Sequence, residues 1–238
     1  MSHVPLMTGN WHRMSPAQAA RFRLRLEEGE RAGTPDVAGL VDMLWGEPGY
    51  LPLRCYPGWA LVEAQVMTAP GEAGKANFLY GPDAIAMING GSETLHALNE
   101  GGLRPAPGAP PLAPALAPLD ETVTGPEYLR LFCGAVWGSE GPFTIIEEHH
   151  HPLLWGYARD PGWFDRLRPL TVVRDGDTLI ASTTVSYGRD LFSARFRITR
   201  ALVEMEEDEL IEADAVPLRR HRSPIRDLHP FPVAATGS

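Results

Sequence analysis

The sequence predicts an α+β fold: a twisted, mostly antiparallel sheet with helices packed on one face and a C-terminal β-meander. Three observations favour this class. Helical periodicity marks the front of the chain, an amphipathic helix follows in the middle, and alternating strand patterns fill most of residues 170–216. Such a sheet can curl into a pocket, an architectural point that by itself defines no activity.

A capping box opens the first helix. Ser15 and Gln18 have the spacing at which each side chain satisfies a backbone donor, and Pro16 suits the first helical position. Thr34-Pro35 predicts the start of a second helix, whose apolar stripe is Val37, Leu40, Val41 and Leu44. Two helices joined by so short a break are expected to pack as an antiparallel pair.

Short apolar runs separated by turn residues follow these helices. They predict strands at residues 51–56, 59–68, 76–80 and 84–88. The next helix is expected from Glu93 to Glu100, ended by Gly101-Gly102. Residues 103–119 are rich in proline and alanine, which predicts an extended, mobile excursion from a single domain of residues 1–238. A linker between two domains is the alternative.

The central stretch joins a helix to a strand. Thr124 and Glu127 have capping-box spacing, and an apolar strand is expected at residues 143–146. That strand leads into Glu147, His149 and His151, which alternate and therefore share one face of an extended strand. Two imidazoles and a carboxylate suit a divalent transition metal. The alternative is a polar strand end in solvent, and no HExxH motif supports the metal site.

Two further sets of residues are candidates for ligand binding. Ser92 begins a helix after Asn89-Gly90-Gly91, where backbone N–H groups can hold an anion, and His96 stands beside Glu100 as a possible tuned base. An ordinary N-cap and a surface pair are the alternatives. Arg195 and Arg197 share a polar strand face and can line an anion-binding groove, unless they pair with the acids that follow.

The meander is predicted from two hairpin turns. A turn at Asp175-Gly176 pairs Val172 with Leu179, and a turn at Gly188-Arg189 pairs Leu179 with Ile198. The same turns pair Ala181 with Leu170 on one side and with Phe196 on the other. Both turns place Leu179 and Ala181 on the same apolar face. A bulge near residues 199–201, an acidic turn and a last strand at residues 210–216 are expected to follow.

Charge is distributed unevenly along the chain. The net charge of −9 argues against nucleic-acid binding. Seven acidic residues lie between Glu204 and Asp214, whereas the tail from about residue 218 is basic. The two segments are either both solvated, or the tail docks on the acidic segment of the same or a neighbouring subunit, which makes a homo-oligomer possible.

Composition points to a cytoplasmic globular protein. The 238 residues contain no apolar run long enough to cross a bilayer, no signal-peptide pattern and only two cysteines. We therefore expect no membrane partner. Two functions remain: a non-catalytic protein that binds a small molecule or a protein partner, and a metal-dependent enzyme centred on Glu147, His149 and His151.

Overall fold

The structure is a computed structural model that describes residues 5–31, 39–69, 72–105, 108–148, 150–154 and 162–216. Its helices and antiparallel sheets confirm the α+β class. The helices are α1 (Pro16–Arg31), α2 (Leu40–Met43), α3 (Glu93–Glu100) and α4 (Thr124–Ala135), with 3-10 turns at Pro152–Leu154 and Phe164–Arg166. The strands are β1 (His12–Arg13), β2 (Leu44–Pro52), β3 (Ala60–Ala69), β4 (Glu72–Tyr80), β5 (Ile85–Ile88), β6 (Trp137–Gly138), β7 (Gly141–Pro142), β8 (Thr144–Ile145), β9 (Thr171–Asp175), β10 (Thr178–Tyr187), β11 (Asp190–Ile198) and β12 (Val203–Glu212). No helix in the described part of the chain is both long and apolar enough to span a membrane.

The first sheet has the strand order β1-β2-β3-β4-β5, and each neighbouring pair is antiparallel. Helix α1 begins with the predicted capping box, because Ser15 N–H donates to Gln18 Oε1 at 2.8 Å and Gln18 N–H donates to Ser15 Oγ at 3.3 Å. Phe22 and Leu26 of α1 are fully buried, and the Phe22 ring packs edge-on against Phe78 of β4 at 5.4 Å. These contacts attach α1 to one face of the sheet.

The start of the first sheet differs from the prediction. The described part of the second helix is only Leu40–Met43, and Leu44 opens strand β2 instead of extending the helical stripe. Leu44 pairs with Val66 of β3, so cross-strand pairing decides its conformation. The expected strand at residues 51–56 is the last part of β2 followed by a turn. Residues 32–38 lie outside the described residues.

The second sheet has the strand order β12-β11-β10-β8, with β9 also pairing with β10. Leu179 pairs with Ile198 and Ala181 with Phe196, as the sequence predicts. The turn before β10 is one residue later than expected, so Val172 faces Ala181 rather than Leu179. This shift of two residues in the pairing keeps every side chain on its predicted face.

The acidic segment is a strand, which corrects the predicted acidic turn. Strand β12 is continuous from Val203 to Glu212 and pairs with β11 along its length. The change of phase comes from a turn in which Thr199 N–H donates to Leu202 O, together with register shifts at Leu191/Phe192 and Arg195/Phe196. The basic tail from residue 217 onward lies outside the described residues.

Asp120, which the sequence analysis did not identify, organises the turn that leads into helix α4, whose N-cap residue Val123 makes no side-chain capping bond. Asp120 Oδ1 accepts hydrogen bonds from Thr122 N–H at 2.8 Å and Val123 N–H at 2.7 Å. These bonds hold the pKa of Asp120 below its usual value. The predicted Thr124–Glu127 box is wrong, because Glu127 Oε2 instead accepts the backbone N–H of Cys55 at 2.6 Å. Glu127 thus ties α4 to the chain after β2.

One buried core joins residues of both sheets around α4. Leu61 and Leu79 of the first sheet share it with Leu129 of α4 and with Leu179 and Phe196 of the second. The proline-rich segment also contributes: Leu116 is buried, Ala115 N–H donates to Leu98 O at 2.8 Å, and Ala117 N–H donates to Cys55 O at 2.9 Å. The described part of this segment therefore packs on the core.

Candidate functional site

A depression among the described residues lies at one end of the first sheet, between α1 and the strand ends. We call it the α1 groove. Its volume is about 730 Å³, which is within the usual range for small-molecule sites. It is lined by Met14, Gln18, Arg21, Leu24, Arg25, Glu28, Tyr50, Pro52, Leu53, Gly58, Trp59, Ala60, Tyr80, Gly81 and Pro82.

Helical spacing explains the wall that α1 supplies. Gln18, Arg21, Arg25 and Glu28 follow one another at intervals of three or four residues, so they form a single polar stripe along the helix. The polar stripe lies beside the buried apolar positions of α1, and one of these, Phe22, anchors the helix to the sheet. Burial of that apolar stripe therefore turns the polar stripe towards the strand ends.

Strand register explains the floor. Ala60, the first residue of β3, pairs with Pro52 of β2 on one side and with Tyr80 of β4 on the other. These three residues form a row across the end of the sheet. Ala60 has the smallest side chain of this row. The floor is therefore lowest at its centre, between the larger side chains of Pro52 and Tyr80.

Three aromatic residues line the groove. Trp59 immediately precedes β3, and its ring packs so closely on Gly81 that a Cβ added there would lie 2.5 Å from the indole. Tyr80 is half-buried and contacts Phe22 edge-on, with ring centroids 5.6 Å apart. Tyr50 is also half-buried, and its ring lies 5.4 Å from that of His12. The aromatic walls are thus held by packing.

Two arginines and an indole supply hydrogen-bond donors to the α1 groove. Arg25 donates to the carbonyl of Pro82 at 2.9 Å and lies 3.4 Å from Glu28. Arg21 is exposed and has no ion-pair or hydrogen-bond partner among the described residues. No hydrogen bond joins the indole N–H of Trp59 to an acceptor among the described residues, where the only buried side-chain polar atom without a partner is Asn77 Oδ1, so this N–H reaches solvent. The groove therefore offers the guanidinium of Arg21 and the indole N–H of Trp59 as donors to a ligand.

The predicted metal ligands are only partly placed. Strand β8 ends at Ile145, and the chain turns where His151 N–H donates to Glu148 O at 3.1 Å, so strand alternation does not extend through this segment. Glu147 binds Arg130 in a bidentate pair at 2.7 and 2.8 Å. His151 is buried, and its Nδ1 accepts the Leu153 N–H at 3.2 Å. His149 lies outside the described residues, so the three-ligand site stays a prediction.

The predicted ligand-binding arginines contact the acidic strand. Arg197 binds Glu206 at 2.5 Å, and Arg195 lies 3.3 Å from the other oxygen of the same carboxylate. Glu206 lies at the register shift between β11 and β12, which allows one carboxylate to reach both arginines. This is the arrangement that the sequence offered as the alternative to an anion-binding groove.

Ser92 is the N-cap residue of α3, and His96 lies within that helix. The Ser92 side chain makes no capping hydrogen bond, and the Gly91 N–H already donates to Asn89 Oδ1 at 3.1 Å. His96 is half-buried, and its backbone N–H donates to Ser92 O at 2.9 Å. Among the described residues, no hydrogen bond or ion pair joins Ser92 or His96 to Arg195 or Arg197.

The sequence reading named none of the polar or aromatic residues of the α1 groove as site residues. Two signals were present: a polar stripe on α1 beside the buried apolar one, and aromatic residues at the ends of three predicted strands. Their meeting depends on the register of β2, β3 and β4, which local sequence does not determine. Comparison with family models, with curated proteins and with solved structures finds no match for this chain.

Proposed function

We propose that this is a non-catalytic protein that binds a small molecule in the α1 groove. The observation that carries the proposal is the groove itself, a depression of about 730 Å³ with aromatic walls and a few polar groups. Small-molecule sites typically combine these features. A cytosolic location belongs to the same proposal, supported by two cysteines that are both free and buried.

The ligand in this proposal has a flat, apolar body. Tyr50, Trp59 and Tyr80 present ring surfaces, and aromatic rings favour offset or edge-on packing against other rings. A second depression of about 440 Å³ adjoins the α1 groove through two shared residues, Trp59 and Pro82. The apolar surface therefore continues beyond the first site, which gives room for a longer ligand.

The groove is suited to binding rather than catalysis. Its lining residues in the described chain include no serine, cysteine, histidine or lysine to act as a nucleophile or general base. The carboxylate it contains, Glu28, lies 3.4 Å from Arg25 and is thus held as an ion pair. Binding and orientation are the tasks that these side chains can perform.

Pre-formed walls support the proposal as well. Arg25 connects α1 to the turn after β4 through Pro82, and Trp59 fills the space above Gly81. A ligand therefore enters a site whose main surfaces are already fixed, which reduces the ordering cost of binding.

Filling the groove tests this function. The probe is 2-naphthylmethanol, a neutral planar molecule, and the variant is Ala60→Phe, which places a ring at the centre of the floor. Gln65→Phe is the matched control, because Gln65 lies on the same strand but is exposed and outside the groove. Equilibrium dialysis should show one weak site, with a dissociation constant on the order of 1 mM for so small a molecule.

The expected result is that Gln65→Phe binds like the unmodified protein and Ala60→Phe loses most binding. Thermal melts of both variants establish that they are folded. Equal binding by both folded variants, or no binding by the unmodified protein, would overturn the proposal.

A further inference from the structure

We propose that the ligand of the α1 groove carries a carboxylate, which the guanidinium of Arg21 binds. This inference rests on the proposed function and makes it more specific: it names the ligand class as planar apolar carboxylates. It also assigns a specificity-determining role to a residue of α1.

The first support is the charge of the groove. Two arginines and one glutamate line it, so positive charge exceeds negative charge. Glu28 is 3.4 Å from Arg25, which accounts for the negative charge. The charge of Arg21 is left without a counter-ion among the described residues. In a protein whose formal net charge is −9, this is a local positive site.

The second support is helix geometry. Arg21 and Arg25 are four residues apart on α1 and are therefore neighbours on its surface. Like charges at this spacing repel one another. Glu28, three residues beyond Arg25, offsets that repulsion on one side only. An anion bound beside Arg21 would offset it on the other side.

The third support is the balance of donors and acceptors. The Trp59 indole is a donor only, and Arg21 offers a planar fork of N–H groups. Neither side chain donates to an acceptor among the described residues, and both donors reach solvent, where a ligand can meet them. An ionised carboxylate is an acceptor only, with two oxygens that match the arginine fork. A ligand with this group satisfies donors that the folded chain leaves open.

Arg25 has a different role from Arg21. Its guanidinium is already engaged by the Pro82 carbonyl at 2.9 Å and by Glu28. It acts as a positioning residue that holds the turn after β4 against α1. Arg21 is therefore the side chain to change in a test of ligand charge.

The experiment compares two probes that differ in charge. The first is 2-naphthoate and the second is 2-naphthylmethanol, which has the same ring system without the carboxylate. Both are titrated into the full chain and into Arg21→Ala, Arg21→Lys and Arg31→Ala. Arg31 is the matched control, because it is exposed on the same helix and does not line the groove.

The unmodified protein and Arg31→Ala should bind 2-naphthoate about tenfold more tightly than 2-naphthylmethanol, as expected for a charge-assisted hydrogen bond partly screened by solvent. Arg21→Ala should remove this preference, so that the two probes bind this variant equally. Arg21→Lys should retain part of it, since lysine keeps the charge and loses the fork. Added salt should weaken only the charged probe.

The outcomes separate the two proposals. Equal binding of both probes by the unmodified protein would overturn the carboxylate inference and leave the small-molecule site standing. A preference for 2-naphthoate that survives in Arg21→Ala would overturn the role of Arg21. Failure of both probes to bind the unmodified protein would overturn the proposed function as well as the inference.

Discussion

Asn99 and Tyr128, 29 residues apart in sequence, are joined by a buried hydrogen bond of 2.7 Å from the Asn99 amide to the tyrosine hydroxyl. The oxygen of the same amide accepts a hydrogen bond from the Tyr56 hydroxyl at 2.6 Å. The amide nitrogen also donates to Arg200 O at 3.0 Å. One side chain thus connects α3 with the chain after β2, with α4 and with the turn after β11. All of its polar atoms have partners.

Loss of this side chain should be costly. Asn99→Ala leaves the two tyrosine hydroxyls and the Arg200 carbonyl short of partners inside the core, and we expect a loss of about 2–3 kcal/mol. Asn89→Ala is the control, because among the described residues the Asn89 side chain accepts only the nearby Gly91 N–H. Urea unfolding measures both. A similar cost for the two variants would contradict the central position of Asn99.

The same cluster predicts how stability responds to alkaline pH. Burial raises the pKa of Tyr128 from 10.0 to about 12 in the folded chain. The folded state therefore holds the proton more tightly than the unfolded state, and stability that is complete below pH 10 should fall as pH rises from 10 towards 12. Tyr128→Phe should flatten part of this decline. The unfolding free energy of both proteins is measured between pH 8 and 11. An equally steep decline with pH in the two proteins would contradict the prediction.

The faces of β11 predict opposite effects for adjacent residues. Phe196 is 4% exposed in the shared core, so Phe196→Ala should cost about 3–5 kcal/mol. Arg197 lies on the opposite, solvent-facing side with Glu206, and an exposed ion pair contributes only about 0–1 kcal/mol. Arg197→Ala should therefore be nearly neutral in urea melts. Equal costs would mean that the face assignment is wrong.

The metal hypothesis and the Arg130–Glu147 pair make different predictions. The pair is about three-quarters buried, with side-chain exposures of 26% and 23%. Glu147→Gln should therefore lower stability by about 1–2 kcal/mol in the presence of a chelator, where no metal can contribute. A real metal site predicts instead that His149→Ala and His151→Ala weaken zinc binding steeply while His150→Ala does not. Calorimetry with zinc on untagged protein distinguishes the two accounts.

Local sequence signals predicted local structure well. The Ser15–Gln18 box, helix Glu93–Glu100 and the pairing across Gly188-Arg189 each depend on a few neighbouring residues, and each is present. The predictions that were wrong depended on distant partners. Glu127 does not cap α4 but accepts a hydrogen bond from the N–H of Cys55, 72 residues away. Leu44 pairs with Val66 and is part of a strand rather than of the preceding helix. Such long-range contacts override local propensity.

The candidate site was hidden for the same reason. The local sequence around Arg21 indicates only a charged residue on the exposed side of a helix. Trp59 and Tyr80 are predicted only as aromatic residues at strand ends. Only the pairing of Ala60 with Tyr80, and the anchoring of α1 by Phe22, place them around one depression. Residue chemistry is visible in the sequence, whereas the convergence of these residues is a property of the fold.

A crystal structure of the protein in complex with 2-naphthoate tests the central claim most directly. The account predicts ring density in the α1 groove over Ala60, in contact with Trp59, and carboxylate oxygens within hydrogen-bond distance of Arg21. The crystals must be prepared at a concentration that saturates the site in solution. Density for the probe elsewhere on the molecule, with the α1 groove unoccupied, would contradict the account.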